Sequence, residues 1–523
     1  MKNFDYLVVG GGHNGLVAAC YLARSGHSVQ VLEKRQVAGG ASISQPLVSV
    51  APEYTLSPGA IDAVFIRQTS IIEELRLARF GFSLIDVDPG YGWVNEDGDS
   101  LMLFQSVKQT AEDIKYYSKK DASQYLELAE VFQLILEIQS DFMSRPLSQS
   151  GWCDLVRAAW KLVADKSLRR TLGRLLSVSA YEAIAETFES EPLRGLYAYW
   201  CAIACPPDAE NSGVFLASFS QIHQLGCSRP RGGMSSLINA LSNCLMELGG
   251  EIRTSASVKN IVVENSQARG VVLNSGEVIN ARLGVIGACA PQITLGQLLQ
   301  DNDRPQNVRE QLPFIPANAS NMGPFKIDMA IDGPLLFERA SQKRGQRDGV
   351  DINGASLMTG TLDEHVDHTS QVRLGRLGKK PPIWMTVLSH NDKTLAPEGK
   401  STAYLYTSIP VKTDMSEEEL SHRCSNFLVE SSKQYLVGLG AELGRNTLTP
   451  LAFNDEFSLP NGCIYHVDML PTRLGPLRPA RGLGGGSTEI KSLYLGGAGS
   501  HPGGGVYGLP GKFAAQEALI SKG

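Results

Sequence analysis

The 523-residue chain contains no C-x-x-C pair, and its nine cysteines, Cys20, Cys153, Cys201, Cys205, Cys227, Cys244, Cys289, Cys424 and Cys463, are odd in number and scattered. That spread excludes a disulfide framework, and the missing pair excludes dithiol redox chemistry, so the thiols read as reduced and mostly buried. No apolar run reaches the roughly 18–20 residues that span a bilayer. Runs rich in Lys and Arg are also lacking. The formal charge of −6 and pI near 5.9 hold no long-range attraction for a polyanion, which argues against a nucleic-acid partner. The first strand is expected from about Asp5, leaving no room ahead of it for a signal or transit peptide, and a cytoplasmic location is expected. Histidine is scarce. His365 and His368 sit among Asp363, Glu364 and Asp367 with no further histidine nearby, which reads as a solvated loop, and no metal is expected.

What the chain has in quantity is apolar residue (43%) and glycine (53 residues). Its length exceeds what one core supports, so two lobes are expected. Residues 5–9 form a short apolar run, the glycines Gly10, Gly11, Gly12 and Gly15 follow around His13 and Asn14, and an apolar, alanine-rich segment continues over 16–23. The order is strand, glycine turn, helix. Gly10 would make the turn, Gly12 would admit a pyrophosphate, Gly15 would let the helix lie close to the strand, and the helix amino terminus would face the phosphates. Residues 27–32 supply a second strand, and Glu33 arrives 18 residues after Gly15, where a carboxylate would accept from a ribose diol. Lys34 and Arg35 follow, and then Gly39, Gly40, Ala41 and Ser42. This second close-approach segment is superfluous for a nicotinamide nucleotide, and it points to FAD; Arg35 is expected near the adenosine.

A matching half lies at the other end. Residues 492–495 read as a strand, and after it come Gly497, Ala498, a run of further glycines through Gly504 and Gly505, Val506, and an apolar helix over 511–520. So many glycines between strand and helix cost chain entropy, which close approach of backbone to a ligand offsets. Between the two ends, Arg231-Gly232-Gly233-Met234 opens an amphipathic helix, and a β-meander is expected over 251–286, with the backbone at Val258 meeting the adenine.

Together, GGGHNGLVAACYLARSG, Ala60-Ile61-Asp62, Pro230-Arg231-Gly232-Gly233-Met234, Leu395-Ala396-Pro397-Glu398-Gly399, Asn461-Gly462-Cys463-Ile464-Tyr465-His466 and GAGSHPGGGV resemble the phytoene desaturase family of amine-oxidase-type FAD-dependent oxidoreductases along the whole chain. The branch they are most similar to holds the desaturase-like β-carotene ketolases and the pyridine nucleotide-disulfide oxidoreductase domain-containing protein 2 proteins. The resemblance implies an α/β fold with a discontinuous Rossmann-type FAD-binding domain (1–75, 228–312 and 451–523) and a mixed-sheet and helical substrate lobe (76–227 and 313–450). It also implies a deep apolar tunnel, and it places Arg231, His466, Asp468 and His501 near the flavin as candidates for polar help. Tyr507 stands where the family more often has a small or aliphatic residue, and Lys512 where arginine is frequent. A phenol at 507 would crowd the flavin end of the tunnel and alter the substrate.

Residues 110–227 are expected to be mainly helical. Trp152, Leu155, Val156, Ala159, Trp160 and Val163 recur at helical spacing, with Arg157, Lys161, Lys166, Arg169, Arg170 and Arg174 against Asp154 and Asp165. That pattern suits either a lobe helix with a solvated face or a peripheral hold on a membrane surface. The leading expectation for function is desaturation, ketolation or saturation of a lipophilic polyene or isoprenoid, with oxygen or a quinone as electron acceptor. Its rivals are amine oxidation, which would want an aromatic pair facing the flavin, and a flavin-bound scaffold without turnover.

Overall fold

The strand Asn3–Val9 is buried over most of its length because it runs through the middle of a sheet covered on both faces. In this computed structural model, which describes residues 3–149, 160 and 163–521, that sheet has seven strands. In spatial order they are Glu251–Arg253, Val29–Leu32, Asn3–Val9, Val278–Gly287, Gln267–Leu273 and Val258–Glu264, and Leu493–Leu495 also pairs with Val278–Gly287. The expected meander is therefore only partly present. Glu251–Arg253 leaves it to run parallel beside Val29–Leu32. The last part of the expected meander is one long strand, Val278–Gly287, because Asn3–Val9 lies alongside it and carries the ladder through its polar middle. Residues 278–280 pair antiparallel with 270–272, and residues 285–287 pair parallel with 493–495. That fork admits the carboxy-terminal strand to the sheet.

The helix His13–Arg24 is apolar nearly all round since it is covered on every side, by the sheet, by Ser235–Glu247 and by the carboxy-terminal helix Leu509–Ile520. Two glycines permit these contacts. A Cβ at Gly15 would collide with the carbonyl of Gly10, and a Cβ at Gly511 with the carbonyl of Asn14. Helix meets turn, and helix meets helix, at backbone distance.

A second seven-stranded sheet runs Glu442–Leu448, Met322–Ile331, Ser401–Pro410, Trp384–Thr386, Ser356–Met358, Tyr91–Val94, Ser100–Leu103. Its two ten-residue strands, Met322–Ile331 and Ser401–Pro410, pair antiparallel end to end. Helices Val107–Lys115, Lys119–Met143, Lys166–Leu175, Ala180–Thr187 and Glu191–Ala204 build the rest of this half around their own apolar core.

Of the basic helix expected through 152–176, residues 150–159, 161 and 162 lie outside the described residues. Lys166–Leu175 is a helix with its own start, set by Asp165, whose carboxylate accepts from the Leu168 N–H at 2.9 Å. Trp160, Val163, Lys166, Arg169, Arg170 and Arg174 are exposed, while Leu168 and Leu175 are buried. The solvated loop expected at 363–368 is a correction: Leu362–Arg373 is a helix opened by a capping box between Thr361 and Glu364. His365 and His368, three apart on one helical face, are buried, and burial pushes their pKa values down to about 3 and about 4. A Thr-x-x-Glu signature was available in the sequence and outweighs the polarity of the stretch. Among the described residues, no group of three or more His, Cys, Asp or Glu is placed to hold a metal, and no helix is long and apolar enough to cross a membrane.

Candidate functional site

One cavity of about 720 Å³ lies between the first sheet, the second sheet and the helices. That is within the range of roughly 300–1,000 Å³ usual for ligand pockets.

Its first wall comes from the glycine turn and the segment after the second strand. Gly10, Gly12, His13 and Asn14 line it, then Glu33, Lys34 and Arg35, and then Gly39, Gly40, Ala41 and Ser42. Gly12 is the informative glycine: a Cβ built there meets nothing within 4 Å, so it would project into open cavity. The two glycine segments are zipped together, Gly39 N–H donating to Gly11 O at 2.8 Å. Glu33 is 6% exposed and accepts from the N–H groups of Gly11 (2.8 Å) and Arg35 (2.9 Å), which fixes its carboxylate at the wall. Arg35 pairs with Glu456 at 2.9 Å, donates to Gly40 O and lies 4.7 Å over the Phe457 ring, so it ties this wall to the helix Pro450–Phe457. Lys34 is exposed and donates to Asp455 O.

The carboxy-terminal loop closes on the same space through Ala498, Gly504, Gly505 and Val506, and Val258 lines it from the first sheet. His13 joins the two halves. Its Nε2 faces Gly505 O at 3.2 Å, and a carbonyl only accepts, so Nε2 carries the proton, Nδ1 accepts, and the Ser42 hydroxyl at 3.1 Å donates. Burial pushes this ring down to about 4, which keeps it neutral. Gly15 and Gly497 are not at the cavity. A Cβ at Gly497 would strike the carbonyls of Ala288 and Cys289, so both glycines serve packing.

These residues fit FAD. The open Cβ direction at Gly12, the buried acid at the end of the second strand, and the unpartnered buried Asn14 Oδ1 and His466 Nδ1 on the wall leave polar sites and room for a dinucleotide.

The other walls are apolar and aromatic. Ile135, Ile138 and Met143 from Lys119–Met143 face Leu172, Leu176, Ile203, Val214, Phe215 and Ile222. Phe65, Tyr91, Trp200, Trp384, Tyr404, Tyr406 and Tyr465 add rings, and Tyr507 stacks on Phe65 with centroids 4.7 Å apart and is pushed up to about 12 by burial.

Of the five residues expected to act on substrate, only His466 and Tyr507 reach the cavity. Burial, with Arg478 and His13 nearby, pushes His466 down to about 3. Arg231 is exposed and outside it, because it follows the strand Cys227–Pro230 and turns to solvent while Arg229 two positions earlier turns in. Asp468 is buried away from the cavity, its carboxylate taken by the N–H groups of Asn318 (2.6 Å) and Ala319 (3.0 Å). His501 is likewise buried outside, Nε2 donating to Arg145 O and the ring stacked with Phe513.

Sequence reasoning assigned no role to two charged residues that do reach it, each paired with a residue behind the wall. Asp62 lies at the wall, held by Arg229 Nε at 3.0 Å and by the Tyr91 hydroxyl at 2.7 Å. Lys326 lies at the wall with Nζ 2.8 Å from Asp328 and 4.2 Å from the Tyr404 ring centroid, and it is 1% exposed. Burial lowers the lysine and raises the acid from their ordinary values, each offset in part by the other's charge. Two opposite charges spaced i, i+2 inside the otherwise apolar strand Met322–Ile331 were the available signal.

A family model described as an NAD(P)-binding Rossmann-like domain matches residues 8–60, and one described as flavin containing amine oxidoreductase matches residues 71–407. Among curated relatives, the pyridine nucleotide-disulfide oxidoreductase domain-containing protein 2 of Rattus norvegicus is 28% identical, covering 98% of this chain and 92% of its own. A lycopene-forming phytoene desaturase of Pantoea ananas is 22% identical over 98% of both. A redesigned putrescine oxidase of known structure superposes with a TM-score of 0.61 at 14% identity over the full length of both chains, which is a likeness of fold.

Proposed function

The chain belongs to the flavin-containing amine oxidoreductase family and is an FAD-dependent oxidoreductase, and from that premise we propose that its substrate is a long apolar polyene or isoprenoid, redox-modified by desaturation, ketolation or saturation. The observation that carries this reading is the helical wall of the cavity, where Ile135, Ile138, Leu172, Leu176 and Ile203 present hydrocarbon side chains and the nearby Gln139 amide is turned to the Met143 sulfur. Bound FAD supplies a two-electron hydride acceptor or donor. The residues of the chain bind and orient. The aliphatic wall excludes water and receives the chain of the substrate, and the rings of Phe65 and Tyr507 narrow the space beside the carboxy-terminal glycine loop. The two charged pairs at the wall are each neutral as a pair, which suits an uncharged substrate. An electron acceptor such as oxygen or a quinone completes the cycle, and the exposed Trp160, Val163 and neighbouring cations suit a peripheral hold on a membrane.

A second reading, amine oxidation, is favoured by one feature. Tyr404 and Tyr406 stand two apart on one face of Ser401–Pro410, and both line the cavity as an aromatic pair. Against it, Lys326 Nζ already lies 4.2 Å from the Tyr404 ring centroid, so that ring is taken by a cation of the chain itself and is not free to face a cationic substrate. Anaerobic mixing decides between them. Bleaching of the flavin by polyene-containing lipid extract, with no bleaching by primary or secondary amines, is the expected result, and the reverse would assign the amine reading.

Tyr507→Ala is expected to widen acceptance toward polyenes with bulkier end groups and to cost about 3 kcal/mol of stability through loss of a buried ring. Relative rates on two polyenes of different end-group size, in wild type and variant, measure the first. Unchanged preference would mean that the phenol does not shape the tunnel.

A further inference from the structure

Among the described residues three arginines, Arg229, Arg344 and Arg478, are buried. Arg229 faces Asp62 at 3.0 Å and Arg344 faces Asp113 at 2.8 Å, as the cost of burying a charge ordinarily requires. Arg478 differs. It is 0% exposed, and its six hydrogen bonds all end on backbone carbonyls. Nη2 donates to Tyr465 O (2.8 Å), Val467 O (3.1 Å) and Ala498 O (2.8 Å), Nε again to Ala498 O (3.2 Å), and Nη1 to Asp468 O and Arg473 O (both 3.3 Å). Carbonyl dipoles solvate a cation without cancelling its charge. Among the described residues, no ion pair offsets this one.

The position matters as much as the charge. Tyr465 and Ala498 line the cavity, as does His466 between the bonded carbonyls of Tyr465 and Val467, so the guanidinium stands directly behind that stretch of wall. The His466 ring feels it: after burial, Arg478 is the next cause that keeps this histidine from taking a proton. Asp468, the acid beside it in the chain, points its carboxylate at the N–H groups of Asn318 and Ala319. The wall therefore holds one fixed, poorly compensated positive charge where the carboxy-terminal glycine loop begins.

We propose that Arg478 is a positioning residue that tunes the cofactor electrostatically: its charge favours electron-rich FAD in the cavity and raises the reduction potential of the bound cofactor. The physical basis is that a fixed cation in a low-dielectric wall stabilises added electrons more than it stabilises the oxidised ring. The inference depends on FAD binding alone and is independent of which substrate the cavity takes.

The test is a redox titration of the holoprotein against a dye of known potential, without substrate. At fixed dye potential, Arg478→Gln is expected to lower the reduced-to-oxidised flavin ratio at least tenfold, about 30 mV for a two-electron couple. Arg478→Lys keeps the charge and is expected to stay within about threefold of wild type, tenfold being 30 mV on the same scale. Asp468→Asn removes a nearby negative charge while keeping the main-chain oxygen, the only atom of Asp468 that Arg478 binds; it is expected to raise the ratio. Equal shifts for the Gln and Lys variants, or a ratio that falls or stays level in Asp468→Asn, would overturn the proposal. If Arg478→Gln does not retain flavin, Asp468→Asn decides: a ratio above wild type supports the proposal, and one that falls or stays level overturns it.

Discussion

Gly12→Val is expected to give a folded protein with no bound flavin, and Gly15→Ala to give little folded protein at all. The two glycines stand three residues apart in one turn and look equivalent in sequence. At Gly12, φ is −67° and ψ is 168°, extended backbone that valine adopts readily, and the direction of a Cβ there is open for 4 Å. The added branched side chain enters the space a pyrophosphate would occupy and displaces it from the amino terminus of His13–Arg24. At Gly15 a Cβ would collide with the carbonyl of Gly10 and lie 3.0 Å from the Ala288 side chain, so helix and turn must part. Overpacking typically costs about 1–3 kcal/mol where side chains can give way, and more where backbone is the obstacle, as it is here, against a total domain stability of only about 5–15 kcal/mol. Flavin absorbance per mole of protein, read beside the far-ultraviolet circular dichroism of each variant, checks the pair. Full flavin content in Gly12→Val would show that the phosphates do not lie over that turn, and a yellow, cooperative Gly15→Ala would show that the contact yields.

Ile138→Glu is expected to depress polyene-dependent flavin reduction at least 100-fold while leaving flavin content unchanged. Ile138 lies on Lys119–Met143 at the apolar wall, is only partly buried, and is on a different element from every residue assigned to the dinucleotide. Its partial exposure lets the variant fold with the carboxylate reaching water. An apolar chain bound beside it would force desolvation of that charge, a penalty of several kcal/mol, and 100-fold corresponds to about 2.7 kcal/mol. Ile138→Leu is the control and is expected to stay near wild type. Unchanged reduction by polyene in Ile138→Glu would place the substrate elsewhere, and the long-chain reading would fall with it.

Legibility varied with how local the cause was. The turn over 10–15 was readable because glycine spacing, the apolar run before it and the alanine-rich run after it all act within about twenty residues, and the helix starts where the turn demands, at His13. The helix at 362–373 was equally local, signalled by Thr361 and Glu364, and polarity misled only because a helix with one buried face carries acids on the other. Arg231 and Arg229 show the opposite case. Both lie beside the same glycine pair, yet the end of the strand Cys227–Pro230 sends one into the core against Asp62 and leaves the other in water. Asp468 and His501 were drawn toward the site by their motifs, but motif membership places a backbone and leaves the direction of the side chain to packing.

By itself the sequence determined the α/β class, the strand–turn–helix order at the amino terminus, the glycine-rich return at the carboxy terminus and the FAD chemistry that both address. These follow from φ/ψ sterics and short-range period, which a residue imposes wherever the chain goes. Only the tertiary structure decided that Val278–Gly287 forks between two partners, that Lys326, paired with Asp328, meets the cavity beside Tyr404, and that Arg478 is buried on carbonyls drawn from 465–498. The reason is that burial and electrostatic pairing are sums over neighbours far apart in the chain, so the same arginine or lysine is solvated or trapped according to what the fold brings around it.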